Sequence, residues 1–300
     1  MKFQAVGVIG YGEVGKIFCA GLKDKPGVQA VRAWDTRFAS LVHSGVQLGH
    51  AREAGVEAQA SMQALCQHSD LLISAVTASN TLVVAQEAAL QLRHGTVFLD
   101  LNSASPGTKQ QCAALIDGAG GHYVEAGVMT SVPPYGIRVP MLLGGARASE
   151  LASLLGSWGL DAKAVSEQLG VASAIKMCRS VMIKGLEALV IESYSTARHY
   201  GVEEYVLPTL AETFPSIDWQ QTGAYFFSRV VQHGKRRAEE MREAARTVRE
   251  AGFEPLMASA IAEKQQGVAD AAADGAFKNL PKDARWQAYA DALLAARSGG

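Results

Sequence analysis

The sequence predicts an α/β chain in two parts, a mostly parallel sheet covered by helices in the N-terminal half and an all-α C-terminal half. Two observations carry this. Up to about Ser166, short β-rich apolar runs alternate with helical patterns, the rhythm of a parallel sheet joined by right-handed crossovers. Beyond Ser166 the strand rhythm disappears, and apolar residues recur only at helical spacing. The expected division is residues 1–165 and residues 166–300, which a chain of 300 residues can support as two ordinary domains.

The strand runs, in order, are Ala5–Ile9, Ala30–Trp34, Leu71–Val76, Thr96–Leu101 and Tyr123–Val128. They are almost continuously apolar, as strands with helices on both faces must be. Pro140–Leu143, ending at Gly144-Gly145, extends the sheet after the turn Val132-Pro133-Pro134-Tyr135. A long helix is expected from Glu167 to Tyr200, halted by Gly201; at 1.5 Å per residue it would run about 45 Å, enough to cross from one domain to the next. Helical patterns over Asp218–Arg229, Arg236–Ala251, Pro255–Gly267 and Lys282–Arg297 follow, with Ser298–Gly300 expected to fray.

A net charge of −1 gives no general attraction for polyanions, so neither nucleic acid nor an anionic membrane is an expected partner, and the substrate should be a small molecule. The N-terminus enters a strand pattern without the features of a secretion signal, and no apolar run approaches the roughly 20 residues that cross a bilayer. Cys19, Cys66, Cys112 and Cys178 are widely spaced inside apolar patterns, so they are expected to be reduced core thiols of a cytoplasmic protein rather than a metal or disulfide framework.

Chemistry first enters at Gly10-Tyr11-Gly12-Glu13-Val14-Gly15, directly after the first strand and opening a helix. Gly10 permits the tight turn, Gly12 lets backbone approach a pyrophosphate, and Gly15 allows close helix–strand packing; the phosphate then rests on the positive end of the helix. In a chain with 30 glycines this spacing alone is weak, but the preceding strand, following helix and acidic Asp35 at the end of the second strand meet the contextual tests together. The N-terminal half is therefore a Rossmann-type dinucleotide-binding domain. Asp35 can accept hydrogen bonds from ribose hydroxyls and would repel a 2′-phosphate, which favours NAD over NADP; Arg37 offers that phosphate a cation, or is a solvated surface charge.

Further candidates follow the later strands. Val76 ends one strand run and Asn102 follows another, at the edge where ligands bind, and both are cofactor-binding candidates; Asn102 or Ser103 could instead bond a substrate carboxylate. An ordinary helix cap at Ser105, before Pro106, accounts for the same stretch equally well. In the long helix, Lys176, Ser180 and Lys184 fall at i, i+4 and i+8, near one face. A solvated face is the plain reading; small and apolar neighbours of Lys176 suggest burial, and nearby cations would make its amine a better proton-transfer group.

These motifs resemble the β-hydroxyacid dehydrogenase family, related to 3-hydroxyisobutyrate and 6-phosphogluconate dehydrogenases. Val8 to Gly15 is similar to its cofactor signature, Asp100 to Pro106 to its second motif and Gly170 to Ser180 to its catalytic motif. His233 to Met241 is most similar to a poorly characterised branch. The resemblance implies that Lys176 is the catalytic proton donor and acceptor, with Ser180 where the family usually has asparagine. Glu125-Ala126-Gly127-Val128-Met129-Thr130-Ser131 stands where the family has an acidic residue followed by Ala-Pro-Val-Ser-Gly-Gly, so Met129 and Thr130 occupy substrate-binding positions with altered chemistry. Arg236 falls near a family lysine that faces the active site. Arg179, Lys184 and Arg236 hint at a carboxylate-bearing substrate, and Tyr225, Phe226 and Phe227 at an apolar wall; both sets are equally consistent with packing.

The implied activity is hydride transfer between NAD(P) and a small hydroxy acid or related alcohol or carbonyl compound, in an interdomain cleft. The resemblance, with the apolar surface of the later helices, also implies a homodimer or dimer of dimers. The alternatives are an imine reductase of the same architecture, which Lys176 argues against, and a regulatory protein that binds NAD(P) without catalysis.

Overall fold

The protein's structure is a computed structural model describing residues 1–39 and 44–298. Two compact units divide the chain, Met1–Met177 and Cys178–Gly300. The first holds β1 (Ala5–Ile9), β2 (Ala30–Trp34), β3 (Glu57–Ala58), β4 (Leu71–Ser74), β5 (Val97–Asp100), β6 (His122–Val128), β7 (Met141–Gly144) and β8 (Ala162–Ser166). They form one sheet in the order β3-β2-β1-β4-β5-β6-β7-β8. Every neighbouring pair is parallel except β6–β7, so the sheet is mostly parallel as expected.

Strand side chains alternate between two apolar layers, with Val6, Val8, Leu71, Ile73 and Leu99 in one and Ile9, Leu72 and Phe98 in the other. Helices α1 (Glu13–Leu22), α2 (Ser44–Glu53) and α6 (Ala148–Ser157) belong to the first layer's side, while α3 (Met62–Gln67), α4 (Thr81–Ala89) and α5 (Pro106–Gly118) belong to the second. Strand order reverses between β1, followed by β2 on one side, and β4 on the other. That reversal opens a crevice at the carboxyl ends of β1 and β4, the usual ligand position in such sheets.

Helix α7 (Val171–Tyr200) begins four residues later than the pattern suggested, because Gly170 has φ +99°, outside helical backbone. The second unit continues with α8 (Glu203–Thr213), α9 (Trp219–Glu250), α10 (Leu256–Ala273) and α11 (Trp286–Ser298). Its core joins Ile191 and Tyr194 to Trp219, Phe227, Val268 and Trp286. The two helices expected on either side of His233 are one, since Val230, Gly234, Arg237 and Ala238 keep a single buried face in register. Helix α8 was hidden by Pro208 in its interior. Strand β8 has no fully buried residue, so it lacks the apolar run that marked the others.

Cys19, Cys66 and Cys112 are buried free thiols, but Cys178 is exposed, correcting its expected place in the core. Met177 and Ser180 take the inward face there, and the helical period turns Cys178 away. Among the described residues no helix is long and apolar enough to cross a membrane. Of the expected frayed tail, Gly299 and Gly300 lie outside the described residues.

Candidate active site

The glycine loop lies at the strand-order reversal. Gly10 has φ +92°, its N–H donates to the Trp34 carbonyl, and a Cβ there would lie 2.6 Å from the Ala75 oxygen. A Cβ at Gly15 would lie 1.9 Å from the Gly10 carbonyl oxygen, so α1 can pack against β1 only without a side chain there. Gly12 is different: a Cβ would meet only Arg37 Nη2, at 3.9 Å. It is also the N-cap of α1 with no side-chain capping bond, which leaves the first-turn N–H groups available to an anion. This open backbone cradle fits a dinucleotide pyrophosphate.

The side chains in the loop serve the scaffold. Tyr11 is buried, its ring 5.5 Å from that of Phe38 and 5.5 Å from the Lys16 ammonium, with its hydroxyl 3.0 Å from His50 Nδ1. Burial pushes the Tyr11 phenol up to about 12. Glu13 is exposed and Val14 half-buried against the core.

Asp35 accepts from the Tyr11 N–H at Oδ2 (2.7 Å) and from the Arg37 N–H at Oδ1 (2.9 Å). Arg37 adds Nε to Oδ1 at 2.8 Å and Nη2 to Oδ2 at 2.7 Å. Each carboxylate oxygen thus takes two donors. Burial alone would raise the Asp35 carboxyl, but these hydrogen bonds and the Arg37 charge outweigh it and hold it below the ordinary carboxylate range. The carboxylate that was to receive ribose hydroxyls is already occupied, and its charge is neutralised.

Asn102 is buried and spans the ends of β4 and β5. Its Oδ1 accepts from the Val76 N–H (2.7 Å), and its Nδ2 donates to Ser74 Oγ (2.9 Å). Its own N–H donates to Asp100 Oδ1 (2.8 Å). Asp100 also receives the Tyr123 hydroxyl (2.6 Å) and pairs with Lys109 Nζ (3.0 Å), both Asp100 and Lys109 being 1% exposed. Burial first, then the Asp100 charge, pushes the Tyr123 phenol well above its usual value. Ser105 caps α5 through the Thr108 N–H, with Pro106 in the first turn, while Ser103 is half-buried beside it.

Lys176 is half-buried in the second turn of α7, within the dinucleotide-binding unit. Beneath that turn runs the end of β6: a Cβ at Gly127 would lie 3.5 Å from the Lys176 Cβ. Met129, past the end of β6, donates its N–H to the Pro140 carbonyl and is half-buried, and Thr130 is exposed.

In the second unit Lys184 is buried, 2.8 Å from Glu240 Oε2, and donates to Ser180 Oγ at 3.3 Å. Arg236 is exposed and 3.8 Å from Glu240, and Arg179 is exposed. One turn beyond Lys184, Glu187 is buried with a bidentate bond from Arg237 and a further one from Gln265. Phe227 belongs to the core, while Tyr225 is exposed. Sequence reasoning missed the Asp100–Lys109–Tyr123 cluster and the Lys184–Glu240 pair. Neither carries a local signal, since a lysine is expected at the surface until its partner's position is known.

Comparison with known proteins agrees with this geometry. Residues 5–149 match the NAD-binding domain of 6-phosphogluconate dehydrogenase, and residues 197–268 match a domain of unknown function, DUF1932. A conserved hypothetical protein from Sinorhizobium meliloti 1021 is 38% identical, covering 98% of this chain and 96% of its own, with TM-score 0.76. A conserved protein of unknown function, described as structurally similar to 3-hydroxyacid dehydrogenases, is 30% identical over 89% of this chain and 97% of its own, with TM-score 0.67. The 3-hydroxyisobutyrate dehydrogenase of Mycobacterium tuberculosis, at 15% identity, shares the fold over 98% of this chain and 99% of its own, with TM-score 0.65. The first unit is thus an NAD(P)-binding domain in a two-part, 3-hydroxyacid dehydrogenase-like fold. The chain belongs to the β-hydroxyacid dehydrogenase family, in its DUF1932-containing branch.

Proposed function

We propose that the protein is an NAD(P)-dependent oxidoreductase acting on a small, carboxylate-bearing hydroxy acid or the corresponding carbonyl compound, with Lys176 as general acid and base. The observation that carries this reading is the position of Lys176 over Gly127, at the carboxyl end of β6 and in the same compact unit as the open glycine loop. The loop from Gly10 to Val14 and the start of α1 would hold the pyrophosphate. When bound, the nicotinamide supplies or accepts a hydride. The Lys176 ammonium would give its proton to the substrate oxygen during reduction, and the amine would take the hydroxyl proton during oxidation. Ser180, one turn on along α7, accepts from Lys184 and so keeps its own hydrogen to donate. Of the second unit's cations Lys184 is engaged by Glu240, which leaves exposed Arg179 and Arg236 as its candidates for a substrate carboxylate; the substrate-binding candidates of the first unit are Ser103, Met129 and Thr130.

For the cofactor, the saturated Asp35 carboxylate removes the charge argument for NAD. Arg37 stands on the open side of Gly12 through Nη2, which also bonds Asp35, and its Nη1 takes no part in those bonds, so NADP is the better fit. The working form is a homodimer or a dimer of dimers.

The test is a dehydrogenase and reductase screen of 3-hydroxy acids, aldehydes, aryl ketones and cyclic imines with each cofactor. Turnover of hydroxy acids or their carbonyl partners is the expected result. Turnover of imines alone would make the protein an imine reductase, and cofactor binding with no turnover would make it a cofactor-sensing protein.

A further inference from the structure

The carboxyl of Glu125 is completely buried on β6, two residues before Gly127 and on the same face of the strand. Its Oε1 accepts the N–H of Gly170 at 2.7 Å and of Ala172 at 3.1 Å, the residues that flank the first position of α7. Its Oε2, also buried, has no hydrogen-bond partner among the described residues. The opposing residue on β7 is Gly144, where a Cβ would lie 2.5 Å from Oε1, so the bare glycine makes room for the carboxyl. At Gly127 a Cβ would lie 2.9 Å from the Ala172 carbonyl oxygen as well as 3.5 Å from the Lys176 Cβ. One strand therefore holds the start of α7 twice, by a carboxylate on its N–H groups and by direct backbone contact.

We infer that Glu125 is a positioning residue: it pins the first turn of α7 to β6 and thereby fixes Lys176 relative to the glycine loop. This rests on the reading of Lys176 as the proton donor and acceptor. A buried carboxylate is costly unless it is well bonded, and one oxygen here is left bare. Helix capping explains why the group is retained. Two backbone N–H groups at the start of the helix converge on one carboxyl oxygen, and a β-strand supplies a stiffer mount than a loop would. The consequence is that the proton-transfer group belongs to the cofactor-binding unit, while Ser180 and its Lys184–Glu240 support belong to the other.

The experiment uses the full-length protein with Glu125→Ala, Glu125→Gln and Gly127→Ala, each alone and combined with Lys176→Ala. Amide hydrogen exchange is followed across residues 168–178, NADPH affinity by calorimetry, and turnover with the compound that wild type converts fastest in the screen. Glu125→Ala should speed exchange in the first turn of α7 by about tenfold, as loss of a helix cap does. It should lower kcat with NADPH affinity within about twofold, because the cap is remote from the pyrophosphate cradle. Glu125→Gln retains the accepting oxygen and should recover most of the protection and the rate. In the Lys176→Ala background Glu125→Ala should cost nothing further. Should Glu125→Ala fail to fold, Gly127→Ala carries the test, and the same signature is expected from its push against Ala172. Wild-type exchange in the first turn, or a loss of rate that adds in full to that of Lys176→Ala, would overturn the inference. A wild-type rate in Lys176→Ala would instead overturn the catalytic reading on which it rests, and the exchange measurement separates the two because it needs no turnover.

Discussion

Arg37 lays the edge of its guanidinium along the Asp35 carboxylate, Nε to Oδ1 and Nη2 to Oδ2, while the Tyr11 N–H reaches the same carboxylate from the glycine loop. The acid that ends β2 is therefore a brace joining the loop to a cation. Arg37→Ala should weaken NADPH by about tenfold or more, one lost charge-assisted contact, and NADH far less. Asp35→Ala should weaken both, because the Tyr11 N–H loses its acceptor and Arg37 its anchor. Titration of each variant with the two cofactors checks this; a wild type that prefers NADH, with Arg37→Ala unchanged, would restore the charge argument for NAD.

The same brace makes stability depend on acid. The Asp35 carboxyl is held below its unfolded value of about 3.9, so its contribution is present in full above that pH and is lost as pH falls through the lower, folded value. The gap between wild type and Asp35→Asn in urea unfolding should be about 1 kcal/mol at pH 7, allowing for solvent around the partly exposed Arg37. It should shrink below about pH 4. A gap that stays constant down to pH 3 would show that the pair contributes nothing through its charge.

Two glycines of the loop should fail in opposite ways. Gly15→Ala drives a methyl into the Gly10 carbonyl and should cost about 1–3 kcal/mol of stability or more. Gly12→Asp has open space and should unfold near the wild-type temperature, yet bind neither cofactor, since its carboxylate stands where the pyrophosphate must come. Thermal unfolding and cofactor titration on the same two samples separate these outcomes; unchanged NADPH affinity in Gly12→Asp would remove the cradle from the account.

What the sequence showed and what it hid follow one physical line. Strands β1 and β2 were legible to the residue, because both are short apolar runs bounded by turn signals, and the glycine loop was legible because backbone approach demands glycine. Elements marked by packing alone were not. Strand β8 has a mixed pattern at the sheet edge, and α8 carries a proline. At the candidate site, Lys176 and Ser180 could be found by helical spacing. That the Tyr11 N–H also reaches Asp35, that Asn102 ties β4 to β5, and that Lys184 is claimed by Glu240 depended on long-range partners, which no local pattern reports.

Assembly can be tested on α7. Met182, Leu186, Leu189, Ser193, Thr196 and Tyr200 recur at alternating spacings of four and three, and all are exposed. A groove beside this stripe is lined by Leu189, Tyr200, Val202 and Val206. Met182, Leu186, Leu189 and Tyr200 make most of this exposed stripe apolar, with Ser193 and Thr196 between them, and such a face matches a second helix better than it matches water. If the proposed assembly forms through this stripe, light scattering at micromolar concentration should report a dimer or tetramer for wild type and a monomer for Leu189→Glu. A monomeric wild type would leave the stripe without this role.

The most direct measurement is the rate of hydride transfer in Lys176→Ala, compared with wild type using NADPH and its C4-deuterated form on the best compound of the screen. General acid–base catalysis contributes about 10²–10⁴-fold, and kcat should fall by that order with cofactor affinity nearly unchanged. Lys176→Arg should stay poor, because its guanidinium does not readily release a proton. A near-wild-type kcat in Lys176→Ala, with a deuterium isotope effect showing that hydride transfer limits the rate, would contradict the account.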